Sequence, residues 1–262
     1  MKRTHRARKR FGQHFLTAPE TIQRIVDVIA PAPGQTLVEI GPGQGALTIP
    51  LAQRADTLHA IEFDRDLVAM LRARFAQNDN VRIHAADALE FDFAGLGSRL
   101  RILGNLPYNI STPLLFRQLD FASCISDMHF MLQKEVVDRI CATPGSKSFG
   151  RLTIMLGSRV SVEALFDVPP QAFSPPPRVM SAVVRMQPLP PGTYHIQNPQ
   201  QFSGVVAHAF SMRRKTLRNA LKGIATEGDL LAAAIDPGAR AEQVAITNWV
   251  ELANRLDSGA RN

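Results

Sequence analysis

Between Leu37 and Leu103 the chain alternates four short apolar runs with helical stretches, and few folds accommodate that pattern. The runs are Leu37–Ile40, Leu58–Phe63, Val81–Ala85 and Arg101–Leu103, and helical segments such as Ala46–Ala55 and Asp66–Ala76 separate the first three. Strands joined by helices cannot pair as tight hairpins, so they form a parallel sheet covered by helices, a doubly wound α/β fold. A helix precedes them. Thr17-Ala-Pro-Glu20 reads as a capping box with proline in the first turn, ahead of Ile22, Ile25, Val26 and Ile29 at helical spacing.

Downstream, Ser111 is placed to cap a helix through Leu119, Met128–Leu132 reads as a strand continuing the sheet, and Lys134–Cys141 as a short helix. Ser161–Val168 and Ser181–Met186 read as two late strands. They bracket the loop Ala172-Phe-Ser-Pro-Pro-Pro-Arg178, which its prolines stiffen. The proline-rich stretch Gln187–Gln201 reads as a linker, and Phe202–Ala220, Asp229–Ile235 and Ala241–Leu256 as helices of a small bundle. The expected organisation is therefore a basic arm over residues 1–16, an α/β domain over 17–187 and an all-helical domain over 188–262.

With 45% hydrophobic and 20% charged residues, a chain of 262 residues has the means to build packed cores of this kind. No apolar run approaches the roughly 18 residues of a membrane span, and no apolar stretch follows the basic N-terminus as in a secretory signal. A cytoplasmic protein without membrane contact is expected. Cys124 and Cys141 have neither zinc-knuckle nor redox-pair spacing, and no metal site is expected. The net charge of +7 is concentrated: Lys2, Arg3, Arg6, Arg8, Lys9 and Arg10 carry six positive charges, and without them 24 basic residues face 23 acidic ones. Such an arm fits a polyanionic partner, and on charge alone it fits a solubilising tail equally well.

The chemistry-bearing residues fall at strand ends. Glu39-Ile-Gly41-Pro-Gly43-Gln-Gly45 lies between a strand and a helix, where glycines let the backbone approach a ligand. Its spacing, G-x-G-x-G with a proline inside, differs from the G-x-G-x-x-G of nicotinamide-binding folds. Glu62 ends the second strand, where a carboxylate in a doubly wound fold accepts ribose hydroxyls; Asp87 follows the third and Asn105 the fourth. Each residue alone is equally at home as a turn residue, whereas four at one sheet edge point to a nucleoside site.

Asn105-Leu106-Pro107-Tyr108 narrows the chemistry, because it resembles the N-[LP]-P-Y motif of amino-methylating enzymes. Together with Lys9–Leu16, Glu39–Gly43, Gly104–Pro113, Met131–Val136, Phe173–Val179 and Arg213–Asn219, it makes the chain similar, over nearly its whole length, to the ribosomal RNA adenine dimethyltransferase family. The similarity is strongest to the bacterial small-subunit branch. Three positions depart from the family pattern: Gln44 replaces an apolar residue, His14 replaces Asn in many relatives, and Phe149 replaces Tyr.

This resemblance implies a Rossmann-like class I methyltransferase domain that uses S-adenosylmethionine to dimethylate two adjacent adenosines near the 3′ end of 16S rRNA, in a small-subunit precursor. It implies that the Asn105 side-chain oxygen and the Leu106 carbonyl accept the two adenine N6 protons, aligning the lone pair with the methyl donor. Pro107 stiffens their turn, and Tyr108 and Phe173 stack on the two faces of the base. The cofactor contacts implied are Glu62 to ribose, Asp87 to adenine, and Gly41, Gly43, His14, Leu16 and Asn105 toward the methionine end. Arg8, Lys9, Arg10, Arg213, Arg214, Lys215 and Arg218 are implied to meet RNA, the last four from one helix in which spacing puts Arg214 and Arg218, or Lys215 and Arg218, on one face. The enzyme is expected to act as a monomer. A rival reading as a nicotinamide oxidoreductase leaves Asn105–Tyr108 unexplained. A non-catalytic assembly factor fits the basic arm and helical region, but intact Asn105 and cofactor carboxylates argue against that as the sole role. A sister enzyme acting on large-subunit RNA or DNA would share the motif.

Overall fold

A computed structural model of the protein describes residues 14–259, with side chains through 257. The described chain divides into two compact units. One runs to Val137 and resumes over Val162–Pro188; the other joins Asp138–Ser161 to the segment from Leu189 onward. The chain passes between the units for the last time after Pro188, and an earlier excursion over 138–161, absent from the expected division after residue 187, precedes it.

The first unit opens with a two-residue strand β1 (Phe15–Leu16) and helix α1 (Pro19–Ile29), whose Ile25, Val26 and Ile29 are buried. The capping box expected at Thr17 does not form. Ala18 is the N-cap, Pro19 starts the helix, and the Thr17 hydroxyl donates to the Ala172 carbonyl at 3.3 Å. The Thr17 and Ala18 N–H groups donate to that same carbonyl, so a distant loop holds the residues just ahead of α1.

Then follow β2 (Thr36–Ile40), α2 (Thr48–Ala52), β3 (Thr57–Glu62), α3 (Arg65–Arg74), β4 (Val81–Ala85), β5 (Leu100–Asn105), α4 (Ser111–Leu119) and β6 (Ile125–Gln133). After α5 (Lys134–Ile140) and α6 (Arg151–Gly157) come β7 (Val160–Val168), β8 (Phe173–Ser174) and β9 (Ser181–Pro188). The main sheet has seven strands in the order β4-β3-β2-β5-β6-β9-β7, and β2 to β6 are parallel to their neighbours. It is mixed rather than wholly parallel. Ser181 pairs with Gln133, so β9 enters at the C-terminal end of β6 and has to run back antiparallel to it. A second sheet pairs β1 with β8, Leu16 opposite Phe173.

Two features of β5 position the site. The strand order reverses between β2 and β5, opening a crevice at their C-terminal ends where α/β folds bind ligands. Gly104 is required there, because a Cβ would collide with the Ile40 carbonyl of β2. At the other end of β5, Arg101 is enclosed by partners: Asp127 at 2.9 and 3.0 Å, Gln35 at 2.7 Å, and the Ile29 and Ala30 carbonyls at 2.6 and 3.2 Å. It thereby satisfies carbonyls at the end of α1 that the helix leaves open.

The second unit is built on an apolar cluster including Phe149, Ile154, Phe202, Val206, Leu217 and the fully buried Trp249. Phe149 and Ile154 draw the 138–161 excursion into this core. Its helices are α6, α7 (Pro199–Ser211), α8 (Leu217–Ala220), α9 (Glu227–Ala232) and α10 (Ile246–Gly259). The single helix expected over Phe202–Ala220 is broken between Ser211 and Leu217. The Leu217 and Arg218 N–H groups donate to Ala239 and Pro237 carbonyls, at 2.8 and 3.0 Å, instead of to a preceding helical turn. Thr226 and Asp229 make a reciprocal capping box at the start of α9.

Candidate active site

The crevice between β2 and β5 is a cavity of about 300 Å³. Its wall contains His14, Leu16, Gly41, Gly43, Glu62, Asp87, Asn105, Leu106, Pro107 and Tyr108, so residues expected from five separate segments meet in one place. Gly41, Gly43 and Gly45 all have positive φ, between 57° and 84°, where a side chain is strained. Gly43 is also packed under the Phe15 ring, 3.2 Å from where a Cβ would stand.

The geometry around Asn105 sets the direction of its amide. Its Nδ2 donates to the His14 carbonyl at 3.0 Å. A carbonyl accepts only, so the NH₂ must face His14 and the Oδ1 acceptor must face away. No described residue donates to that oxygen. In the adjoining turn the Pro107 carbonyl accepts from Ile110 N–H and the Tyr108 carbonyl from the Ser111 hydroxyl, whereas the Leu106 carbonyl accepts from no described residue. Two acceptors on neighbouring residues are thus left open at the cavity.

Tyr108 is held at both ends. Its hydroxyl lies 2.6 Å from Ser181 Oγ, and its ring stacks on His14 with centroids 5.7 Å apart at 28°. Burial raises the phenol pKa, against the hydrogen bond with Ser181. His14 Nδ1 donates to the Pro175 carbonyl at 2.8 Å, fixing the ring that Tyr108 packs on. His14 therefore orients both Asn105 and Tyr108, a role invisible in the sequence because the partners are 91 residues apart or more. Ser181 is likewise hidden in the sequence, its only signal being that it opens a strand.

Phe173 is not brought to the cavity. It is 4% exposed and packs with Leu16, Ile25 and Val183 in the apolar core of this unit. Opposite Leu16 in the β1–β8 pairing, the ring expected to stack on the base packs in this core and does not line the cavity.

The cavity wall is acidic. Glu39, Glu62, Asp64 and Asp87 line it, and among the described residues no lysine or arginine does. Glu62 accepts from Gly43 N–H at 3.1 Å and Asp64 N–H at 2.9 Å, which fixes both oxygens and leaves each a lone pair for a ligand hydroxyl. Burial raises its pKa, and these backbone donors oppose the rise. Asp87 accepts from Leu89 N–H at 2.9 Å. Glu39, which opens the glycine motif, is 2% exposed, and its Oε2 has no hydrogen-bond partner.

The basic residues are scattered by the break in the second unit. Arg213, exposed at the surface, donates to the Lys147 and Phe149 carbonyls at 2.6 and 3.1 Å and lies 3.7 Å from Glu242. Arg218 pairs with Glu227 at 3.4 Å on the surface. Arg214 and Lys215 are exposed in the turn and make no ion pair with a described residue. The shared helical face expected for Arg214 and Arg218 does not exist, because residues 212–216 are not helical. Arg8, Lys9 and Arg10 lie outside the described residues.

An acidic, glycine-floored cavity at the switch point of a Rossmann-like sheet, edged by Asn-Leu-Pro-Tyr, defines a class I methyltransferase. Solved structures agree on the fold. A 23S rRNA methyltransferase superposes with a TM-score of 0.74 at 26% identity, covering 93% of this chain and 99% of its own. A dimethyladenosine transferase from Plasmodium falciparum gives 0.81 at 22% identity, covering 94% and 98%. A ribosomal RNA small subunit methyltransferase A from Aromatoleum aromaticum is 53% identical over 252 residues, 96% of this chain and 95% of its own. Residues 4–258 match the model of the ribosomal RNA adenine dimethylase family. The chain belongs to that family: it is an S-adenosylmethionine-dependent rRNA adenine dimethyltransferase. No helix among the described residues is long and apolar enough to cross a membrane.

Proposed function

We propose that the protein dimethylates N6 of two adjacent adenosines near the 3′ end of small-subunit rRNA, within a precursor particle in the cytoplasm. The observation that carries this reading is the Asn105 amide, held by the His14 carbonyl with its oxygen open toward the cavity. An adenine amine is a weak nucleophile because its lone pair is conjugated into the ring. Asn105 Oδ1 and the Leu106 carbonyl accept its two protons, hold the nitrogen in place and direct the lone pair to the donor. Tyr108, braced by His14 and Ser181, offers its ring to one face of the base.

S-adenosylmethionine supplies an electrophilic methyl on a positively charged sulfur, and an acidic wall without described cations suits that charge. Glu62, its oxygens fixed by Gly43 and Asp64, accepts the ribose hydroxyls, and Asp87 the adenine amine. Gly41, Gly43, His14 and Leu16 enclose the methionine end. The amine formed by transfer carries a positive charge and sheds its proton readily, so the wall residues need only position and desolvate.

Recognition of the particle falls to Arg214, Lys215 and Arg218 in the second unit, with the arm from Arg8 to Arg10. Arg213 is committed to its own loop. The strong similarity to a small-subunit methyltransferase favours small-subunit over large-subunit RNA.

The test is nucleoside mass spectrometry after purified protein, S-adenosylmethionine and undermethylated small-subunit particles are combined. N6,N6-dimethyladenosine at two adjacent positions is expected. Modification of another atom, or preference for large-subunit RNA, would overturn the reading.

A further inference from the structure

Three of the four carboxylates in the cavity wall have partners suited to an ionised group. Glu62 accepts two backbone N–H groups, Asp64 accepts from Asp66 N–H at 3.0 Å as the cap of α3, and Asp87 accepts from Leu89. Glu39 stands apart. It lies at the end of β2 between Ala60 of β3 and Leu103 of β5, where among the described residues no backbone N–H donates to it, its Oε2 has no hydrogen-bond partner, and the Thr48 hydroxyl is its neutral neighbour. An ionised carboxylate buried without a cation or backbone donors is costly, and protonation removes most of that cost. Burial accordingly pushes the Glu39 pKa up to about 7, opposed by the Thr48 hydroxyl and assisted by the Glu62 charge. The other titratable side chains on the wall are Asp64, Asp87, His14 and Tyr108.

We propose that Glu39 is a charge sensor for the cofactor: neutral in the empty site, it releases its proton when a sulfonium enters and regains one when the product, its sulfur now an uncharged thioether, remains. The inference rests on the assignment of this cavity to S-adenosylmethionine. A cation sharing a low-dielectric cavity stabilises the carboxylate, so the proton passes to solvent on binding. Methyl transfer breaks the C–S bond, leaves its electron pair on sulfur and carries the positive charge to the amine, whose proton is then lost. The product keeps the ammonium and carboxylate that it shares with the donor, so loss of the sulfonium removes one positive charge from the cavity, and Glu39 takes a proton back. Product binding is thereby weakened relative to donor binding.

The sign follows from the raised pKa. Below about pH 7 the free Glu39 is protonated, so binding the donor releases a proton and donor affinity rises with pH. Above it Glu39 is already ionised, and donor affinity levels off. The product, S-adenosylhomocysteine, should show little pH dependence throughout.

Calorimetry of the full-length protein at about pH 6, in two buffers of different ionisation enthalpy, counts the protons. Close to one proton released with S-adenosylmethionine and none with S-adenosylhomocysteine is expected. Glu39→Gln keeps the shape and neutrality of the protonated acid. It should abolish the release and cut the preference for donor over product by about tenfold, the equivalent of one pKa unit of linkage. Equal proton counts for both ligands in the wild-type protein overturn the proposal whether or not the variant folds. Failure of either ligand to bind would overturn the cofactor assignment itself, a distinguishable result.

Discussion

The two ends of β5 carry polar side chains, Arg101 and Asn105, in opposite circumstances. Arg101 binds Asp127, Gln35 and two helix-terminal carbonyls. Among the described residues the Asn105 side chain binds only the His14 carbonyl and keeps its oxygen open. A closed polar network holds elements together, because losing one member strands the others. An open acceptor, fixed by one bond and facing a cavity, is available to a substrate. The strand end facing α1 therefore serves stability, and the end facing the cavity serves chemistry.

Changes that strand the closed network should have the largest effect on folding. Arg101→Leu leaves Asp127 buried with only the more distant Arg185 cation, at 4.0 Å, and should cost about 3 kcal/mol in denaturant unfolding. Turnover per folded molecule should stay near wild type. A variant that is stable yet inactive would erase the distinction between the two ends.

Phe173→Ala sharpens the same contrast within the β1–β8 sheet. A ring 4% exposed in the core should cost about 3 kcal/mol when removed. Its effect on single-turnover rate should be small once the protein is saturated with cofactor and held below its melting temperature. An unchanged melting temperature with a large loss of rate would return the ring to the target base.

The smallest intrinsic effect is expected on the surface of the second unit. Replacing Arg214 and Lys215 with Glu should leave stability and S-adenosylmethionine affinity unchanged while weakening binding to small-subunit particles. The slope of log affinity against log salt should fall by about one for each phosphate that is no longer neutralised. Binding identical to wild type across a salt series would shift recognition to the basic arm.

The strand ends could be read from sequence because each depends on a local pattern. Alternation locates the strands, and Gly41, Glu62, Asp87 and Asn105 fall just where each run stops. What escaped depends on distant partners. The break after α7 accompanies Arg213 turning to the Lys147 carbonyl 66 residues away, and helical spacing alone cannot anticipate it. Phe173 belongs to a motif, yet its burial is decided by pairing with Leu16. Glu39 is visible as a letter in the glycine motif, but its isolation depends on the neighbours that β3 and β5 place beside it.

The most direct measurement is the single-turnover rate of methyl transfer by Asn105→Ala, at saturating S-adenosylmethionine and small-subunit particles, alongside its melting temperature. The expected result is a fall of about 10² to 10³ in rate, the usual cost of one preorganised hydrogen bond, with cofactor affinity reduced far less and stability near wild type. A rate within a few-fold of wild type would contradict the assignment of Asn105 Oδ1 as the acceptor that orients the adenine amine.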